Sequence, residues 1–271
     1  MSRIAQALAR RKGLIAYLTV GYPSVDATLD LVPTLAELGC DMVELGIPFS
    51  DPLADGTTIQ RASYQALQNG VTPELCLSVA SELRHRVDIP LAFMTYYNPV
   101  LSYGPEAFSR ACAQAGIDGL IVPDLPPEEG LELQTAASHS TLDLIYLLAP
   151  TSGEERIELA ARNSSGFIYI VSVAGVTGAR QNLPQGLDEF VGGVRARTPL
   201  PLCVGFGISD AQQAARVARV ADGVIVGSRL IQIVEGADTG ALHEFIGGLR
   251  QALDACQPCA NSTHGRIVQH L

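Results

Sequence analysis

Val43-Glu44-Leu45-Gly46-Ile47-Pro48-Phe49-Ser50-Asp51-Pro52-Leu53-Ala54-Asp55-Gly56 sets one carboxylate, Glu44, inside an apolar run and two more, Asp51 and Asp55, on the Pro/Gly-rich stretch behind it. The run reads as a strand and the stretch as the loop that leaves it. Burial raises a carboxyl pKa, and a solvated loop leaves a carboxyl ionised. Glu44 is therefore expected inside and protonatable, with Asp55 outside and charged. That division suits acid and base steps near neutral pH. A buried Glu paired with a cation, beside a loop capped by Asp, is the plainer alternative, but Glu is rarely buried without a reason.

Working outward from this segment, short apolar runs recur at 14–20, 42–45, 91–96, 119–122, 142–148, 167–171, 202–205 and 223–226. They are apolar at nearly every position, as parallel strands covered on both faces must be. Helical patterns fill the gaps at 27–38, 73–86, 105–115, 128–138, 154–163, 187–197, 210–218 and 242–256. Strict strand–helix alternation leaves a doubly wound sheet or a closed barrel. The count of eight favours a (β/α)8 barrel of the TIM type. Two intervals exceed a plain unit. The first holds the Asp51/Asp55 loop and an extra helix at 57–68. The second, 174–184 after strand six, is Gly-rich and polar and reads as a mobile lid. In such barrels the loops after the strands build the active site, so both extensions fall on the catalytic face. One domain over 1–256 is expected, with an irregular tail over 257–271.

The 271 residues suit a single barrel, and 47% apolar content supports a large core. A net charge of −10 disfavours nucleic acid, whose phosphates need a basic face. No apolar run reaches membrane-spanning length and the first residues lack a signal-peptide core, so a cytoplasmic protein with no membrane contact is expected. Cys256 and Cys259 have ligand-like spacing near His264, but no second pair exists and no metal is expected.

Absences narrow the chemistry. The only lysine, Lys12, precedes the first strand and so lies at the wrong end for a Schiff base. The five histidines, His85, His139, His243, His264 and His270, fall in helical stretches or the tail. Carboxylates are left to do any chemistry, and the substrate itself must absorb a carbanion. Gly205-Phe206-Gly207-Ile208-Ser209-Asp210 after strand seven and Gly227-Ser228 after strand eight fit a phosphate site of backbone amides and helix dipole. Tyr17, Phe49, Met94, Tyr96, Tyr97, Tyr169 and Phe206 lie in or beside the strands, where they fill core or line a flat pocket.

With these residues on the page, the chain resembles the tryptophan synthase alpha-chain family. The opening segment with Thr58-Ile59-Gln60 carries the resemblance most specifically. Tyr17-Leu18-Thr19-Val20-Gly21-Tyr22-Pro23, Met94-Thr95-Tyr96-Tyr97-Asn98-Pro99, Leu120-Ile121-Val122-Pro123-Asp124-Leu125-Pro126 and the run from Tyr169 to Gly178 support it in the family's order. The resemblance implies a lyase that cleaves indole-3-glycerol phosphate to indole and D-glyceraldehyde 3-phosphate. It implies Glu44 and Asp55 as the catalytic pair, with Gly178, Gly207, Gly227 and Ser228 on the phosphate. Tyr96, Tyr169 and Phe206 would line the indole pocket with Tyr17 close by, and Thr177 would hold Asp55 from the lid. A beta chain in an alpha-beta-beta-alpha heterotetramer, carrying the pyridoxal phosphate that this chain lacks, is the implied partner. The Asp51-Pro52-Leu53 tip and the Asn98-Pro99 loop are the implied contacts. Some relatives release indole alone, and the catalytic motif does not separate the cases. A catalytically silent barrel that only activates a beta chain, and a different phosphate-binding barrel enzyme such as a sugar-phosphate isomerase, are the alternatives. Intact Glu44 and Asp55 speak against the first, and the Asp55 loop against the second. Tyr22 and Arg229 depart from the family pattern, and Arg229 either adds charge near the phosphate or points outward.

Overall fold

The structure, a computed structural model, describes residues 1–171, 186–205 and 207–256. Its strands are β1 (Gly13–Thr19), β2 (Met42–Gly46), β3 (Leu91–Met94), β4 (Gly119–Ile121), β5 (Asp143–Ile145), β6 (Leu147–Leu148), β7 (Ile168–Val171), β8 (Leu202–Gly205) and β9 (Gly223–Val226). All pair in parallel, in the order β5-β4-β3-β2-β1-β9-β8-β7-β6. Since β5 and β6 are consecutive, the two ends of this order meet and the sheet closes into the barrel.

The strand expected over 142–148 is thus two pieces, the first pairing with β4 and the second with β7. Tyr146 separates them, its carbonyl accepting the Tyr169 N–H at 3.1 Å. Its ring belongs to the outer core, and its hydroxyl fills the space beside Gly130, where an added Cβ would lie 1.8 Å away.

The helices are α1 (Arg3–Arg10), α2 (Val25–Glu37), α3 (Thr57–Gln68), α4 (Pro73–Arg86), α5 (Tyr97–Tyr103), α6 (Pro105–Gln114), α7 (Leu131–His139), α8 (Glu154–Asn163), α9 (Leu187–Arg195), α10 (Ala211–Ala218), α11 (Ser228–Glu235) and α12 (Thr239–Asp254). α1, α5 and α11 lie outside the helical ranges expected from the sequence. α5 takes a cap from outside its own segment, the Asp124 carboxylate accepting the Tyr97 N–H at 2.9 Å, which local pattern does not reveal. α7 starts three residues late because Pro126-Pro127 opens a turn, with Glu129 N–H bonded to Pro126 O.

Strand alternation sorts the apolar residues into two cores. Leu14, Val43, Leu45, Leu91, Phe93 and Val204 face the helices. Ile15, Met42, Ala92, Ile121, Ile145, Phe167, Cys203 and Ile225 fill the barrel. α1 stops the N-terminal end of the barrel. Its Ile4 and Leu8 join the inner cluster, and they pass where Cβ atoms on Gly119 and Gly13 would collide at 2.8 and 2.4 Å. Three carboxylates frame the same end. Asp41, Asp118 and Asp222 accept the Leu14, Leu91 and Leu202 N–H groups at 2.9, 2.9 and 2.8 Å. Each also meets a helix arginine, Arg250, Arg84 and Arg195 respectively. Lys12 is buried at this end with Nζ on Ala221 O at 2.7 Å, so its expected distance from the catalytic face holds.

Candidate active site

β1 and β2 set the first pair of groups. Tyr17 and Glu44 are directly opposite in register, so both side chains enter the barrel from one level. Glu44 is 0% exposed, and neither carboxyl oxygen has a hydrogen-bond partner. Burial alone raises its pKa to about 8. No cation is paired with it, which removes the plainer reading of a buried ion pair. An unpartnered buried carboxyl is costly, and such a group marks a functional site more often than a structural one.

Asp55 corrects an expectation. It lies on the β2–α3 loop, as the sequence suggests, yet it is buried rather than solvated, at 6% exposure. The cause is a folded loop tied down from several directions. Ala54 N–H donates to the Tyr96 hydroxyl at 2.9 Å, across 42 positions of chain. Gln60 Nε2 donates to Asp55 O at 2.9 Å, and the Ser63 hydroxyl both accepts from Phe49 N and donates to Phe49 O. The Phe49 and Tyr96 rings stack at 5.1 Å over the turn. Burial raises Asp55 to about 6, and a hydrogen bond from Tyr96 holds back part of the rise. Asp51, by contrast, is exposed at the loop tip. Two carboxyls thus lie in one region with pKa values pushed to different heights, an arrangement suited to separate acid and anion roles.

Three tyrosines surround them. Tyr17, Tyr96 and Tyr169 are all buried, and the fields of Glu44 and Asp55 reach both Tyr17 and Tyr169. Burial, followed by carboxyl charge, pushes the Tyr17 and Tyr169 phenols well up, so they stay protonated. Two glycines make room for them. A Cβ on Gly46 would sit 2.2 Å from the Tyr17 hydroxyl, and one on Gly205 would sit 2.3 Å from that of Tyr169. Thr19, two residues along β1 and so on the same face, shares a 3.3 Å hydrogen bond with Tyr17. Sequence reasoning missed Thr19 as a partner, although its period-2 spacing from Tyr17 was visible.

After the last two barrel strands the two helix starts differ. α10 is closed on itself: Asp210 caps Gln213 N–H at 2.8 Å, and Gln213 Oε1 accepts Ser209 N–H at 2.7 Å. α11 starts at Gly227 with no side-chain cap and no acid in its first turn, and Ser228 is exposed. Its leading amides are therefore open for an anion. Gly207, at φ +81, has open space beside it, while Gly227 backs onto the Tyr17 ring, where a Cβ would lie 3.3 Å away. The structure thus brings together Glu44, Asp55, Tyr17, Tyr96 and Tyr169, with Gly207, Gly227 and Ser228 at the neighbouring strand ends. Thr177, Gly178, Phe206 and the expected lid lie outside the described residues, as do Cys259 and His264. Cys256 donates weakly to Ala252 O at 3.4 Å. No group of three potential ligands is positioned for a metal among the described residues. Nor is any described helix long and apolar enough to cross a membrane. His85, His139 and His243 are exposed on helices.

Fold and site together define a class: a (β/α)8 barrel whose candidate site is built on two buried carboxyls at the strand ends. Comparison with known proteins sharpens it. The family model for the tryptophan synthase alpha chain matches residues 4–256. The chain is 57% identical over 255 residues to the tryptophan synthase alpha chain of Dehalococcoides mccartyi, covering 94% of this chain and 100% of that relative. It is 54% identical over 241 residues to the alpha chain of Chloroflexus aurantiacus, covering 87% and 91%. Among solved structures, Mycobacterium tuberculosis tryptophan synthase superimposes with a TM-score of 0.87 at 40% identity, covering 93% of this chain and 98% of that one. This chain belongs to the tryptophan synthase alpha chain family.

Proposed function

We propose that Glu44 and Asp55 carry out the family's reaction in this chain, the lyase cleavage of indole-3-glycerol phosphate to indole and D-glyceraldehyde 3-phosphate in tryptophan biosynthesis. The observation that carries this reading is the pair of buried carboxyls, Glu44 without a partner and Asp55 bonded by Tyr96, raised to about 8 and about 6. At neutral pH Glu44 starts protonated. It gives its proton to indole C3, which turns the ring into an electron sink within the substrate. The resulting carboxylate then takes the proton of the hydroxyl on the adjacent glycerol carbon. The C–C bond breaks, its electrons return to the ring, and an aldehyde leaves. Asp55, ionised above about pH 6, accepts a hydrogen bond from the ring N–H and stabilises the positive charge that develops there. Tyr17, Tyr96 and Tyr169 hold the flat ring. The α11 amides and Ser228 take the phosphate, which suits a chain with no lysine on this face. Thr177 and Gly178 retain the roles that the family resemblance gives them.

The partner is a beta chain that receives the indole and carries pyridoxal phosphate, in an alpha-beta-beta-alpha heterotetramer. Support comes from the distribution of exposed large apolar side chains. Leu53, Leu101 and Leu131 are 89%, 47% and 74% exposed, and they follow β2, β3 and β4 on the catalytic face. Such a cluster fits a protein contact. The test is indole release by the purified chain, alone and with a beta chain. Activity that survives Glu44→Gln would overturn the catalytic assignment, and full activity without stimulation by partner would overturn the heterotetramer.

A further inference from the structure

We infer that Arg229 captures the substrate phosphate from the first turn of α11, an inference that rests on the reading of this site as one for a phosphorylated indole compound. Arg229 is the second residue of the helix, exposed, and makes no hydrogen bond or ion pair among the described residues. Many arginines of this acidic chain are matched to carboxylates, as Arg84 is to Asp118 and Arg250 to Asp41, though not all are. Even Arg3, in the first turn of α1, pairs with Asp88 and Asp118. A cation in a first turn is opposed by the helix dipole, and here no protein anion offsets it. An incoming phosphate would.

Geometry points the same way. Helical side chains lean toward the N-terminus, so a long side chain at this position extends back past the cap. The cap is Gly227, which has no side chain to obstruct it, and the space beside Gly207 is open. A guanidinium there can fork two phosphate oxygens while the leading amides take others. Charge balance gives the residue a task. A substrate phosphate must approach a chain of net charge −10 and enter beside two carboxyls, and a local cation at the phosphate end raises its capture.

The experiment measures steady-state cleavage of indole-3-glycerol phosphate by the full chain with its beta chain, for wild type, Arg229→Gln and Arg229→Lys, across ionic strength. Expected for Arg229→Gln is a KM raised about tenfold, the loss of one moderate ionic contact, with kcat nearly unchanged. Its KM should also depend less on salt, and Arg229→Lys should recover part of the loss. Thermal stability should stay level or rise, since an unfavourable dipole contact is removed; a purely structural role predicts the reverse. Inhibition by inorganic phosphate should weaken in parallel. An unchanged KM and unchanged phosphate inhibition in Arg229→Gln would overturn the inference while leaving the lyase reading intact. So would a fall in stability with kcat and KM both impaired. If wild type released no indole, the lyase reading would fail, and direct titration with inorganic phosphate would still decide whether Arg229 binds it.

Discussion

The two ends of the barrel use the same carboxyl chemistry for opposite purposes. At the N-terminal end Asp41, Asp118 and Asp222 each accept a strand N–H and face an arginine. At the C-terminal end both Glu44 oxygens and one of the two Asp55 oxygens have no partner. Paired carboxylates hold strands in place, while unpaired ones store unfavourable burial that a substrate can relieve. Asp143 qualifies the contrast. It enters from the start of β5, is buried with one unpartnered oxygen, and burial raises its pKa, yet it belongs to the wrong end of the barrel for catalysis. Burial without a partner therefore does not mark the site by itself. Position on the strand does.

Replacing a group at each end tests this division. The largest effect is expected from Glu44→Gln, which should lower indole release about 10³-fold, within the range for losing a general acid and base. The same variant should be more stable than wild type at high pH. A folded pKa of about 8 against an ordinary value of 4.5 means that the wild type loses stability as pH rises between those values. The gain in melting temperature should be absent at pH 4, grow through that window and level off above pH 8. A melting temperature that fell at pH 8.5 would erase the distinction between the two ends.

At the opposite end, Asp41→Ala removes one of the two carboxylates that meet the nearly buried Arg250, leaving Asp254, and frees the Leu14 amide, and should cost about 2 kcal/mol in denaturant unfolding. Activity per folded molecule should not change. Asp55→Asn should reduce kcat/KM about 10²-fold through lost stabilisation of the developing charge. Wild-type kcat/KM should trace a bell, needing Asp55 ionised above about 6 and Glu44 protonated below about 8. The Asn variant should lack the acidic limb, and retention of that limb would assign it elsewhere. Gly46→Ala drives a methyl into the Tyr17 hydroxyl and should cost about tenfold in activity, the smallest of these effects. Tyr17→Leu in the same chain should recover part of it.

The barrel was legible because its strands are apolar on both faces and its helices repeat between them. α4 and α8 coincide with the sequence pattern over Pro73–Arg86 and Glu154–Asn163. The break at Tyr146 was not legible, since it depends on which strand lies on each side after closure. Among the site residues, Glu44 could be placed by its apolar neighbours alone. The burial of Asp55 could not, because the hydroxyl that tethers its loop belongs to Tyr96, far away in sequence. The open start of α11 was half visible: Gly227-Ser228 marked the turn, but only the closed start of α10 shows which helix keeps its amides free.

The ring of Tyr17, Tyr96 and Tyr169 has an optical consequence. The chain contains no tryptophan, so an indole bound among these phenols, as proposed above, would be the sole indole chromophore in the alpha chain. Light at the red edge of indole absorption excites that ring and leaves the tyrosines dark. Shorter wavelengths excite the tyrosines, which pass energy to an indole at contact distance. Ligand arrival, the polarity of the cavity and the departure of indole can each be followed by emission, with no label and no mutation.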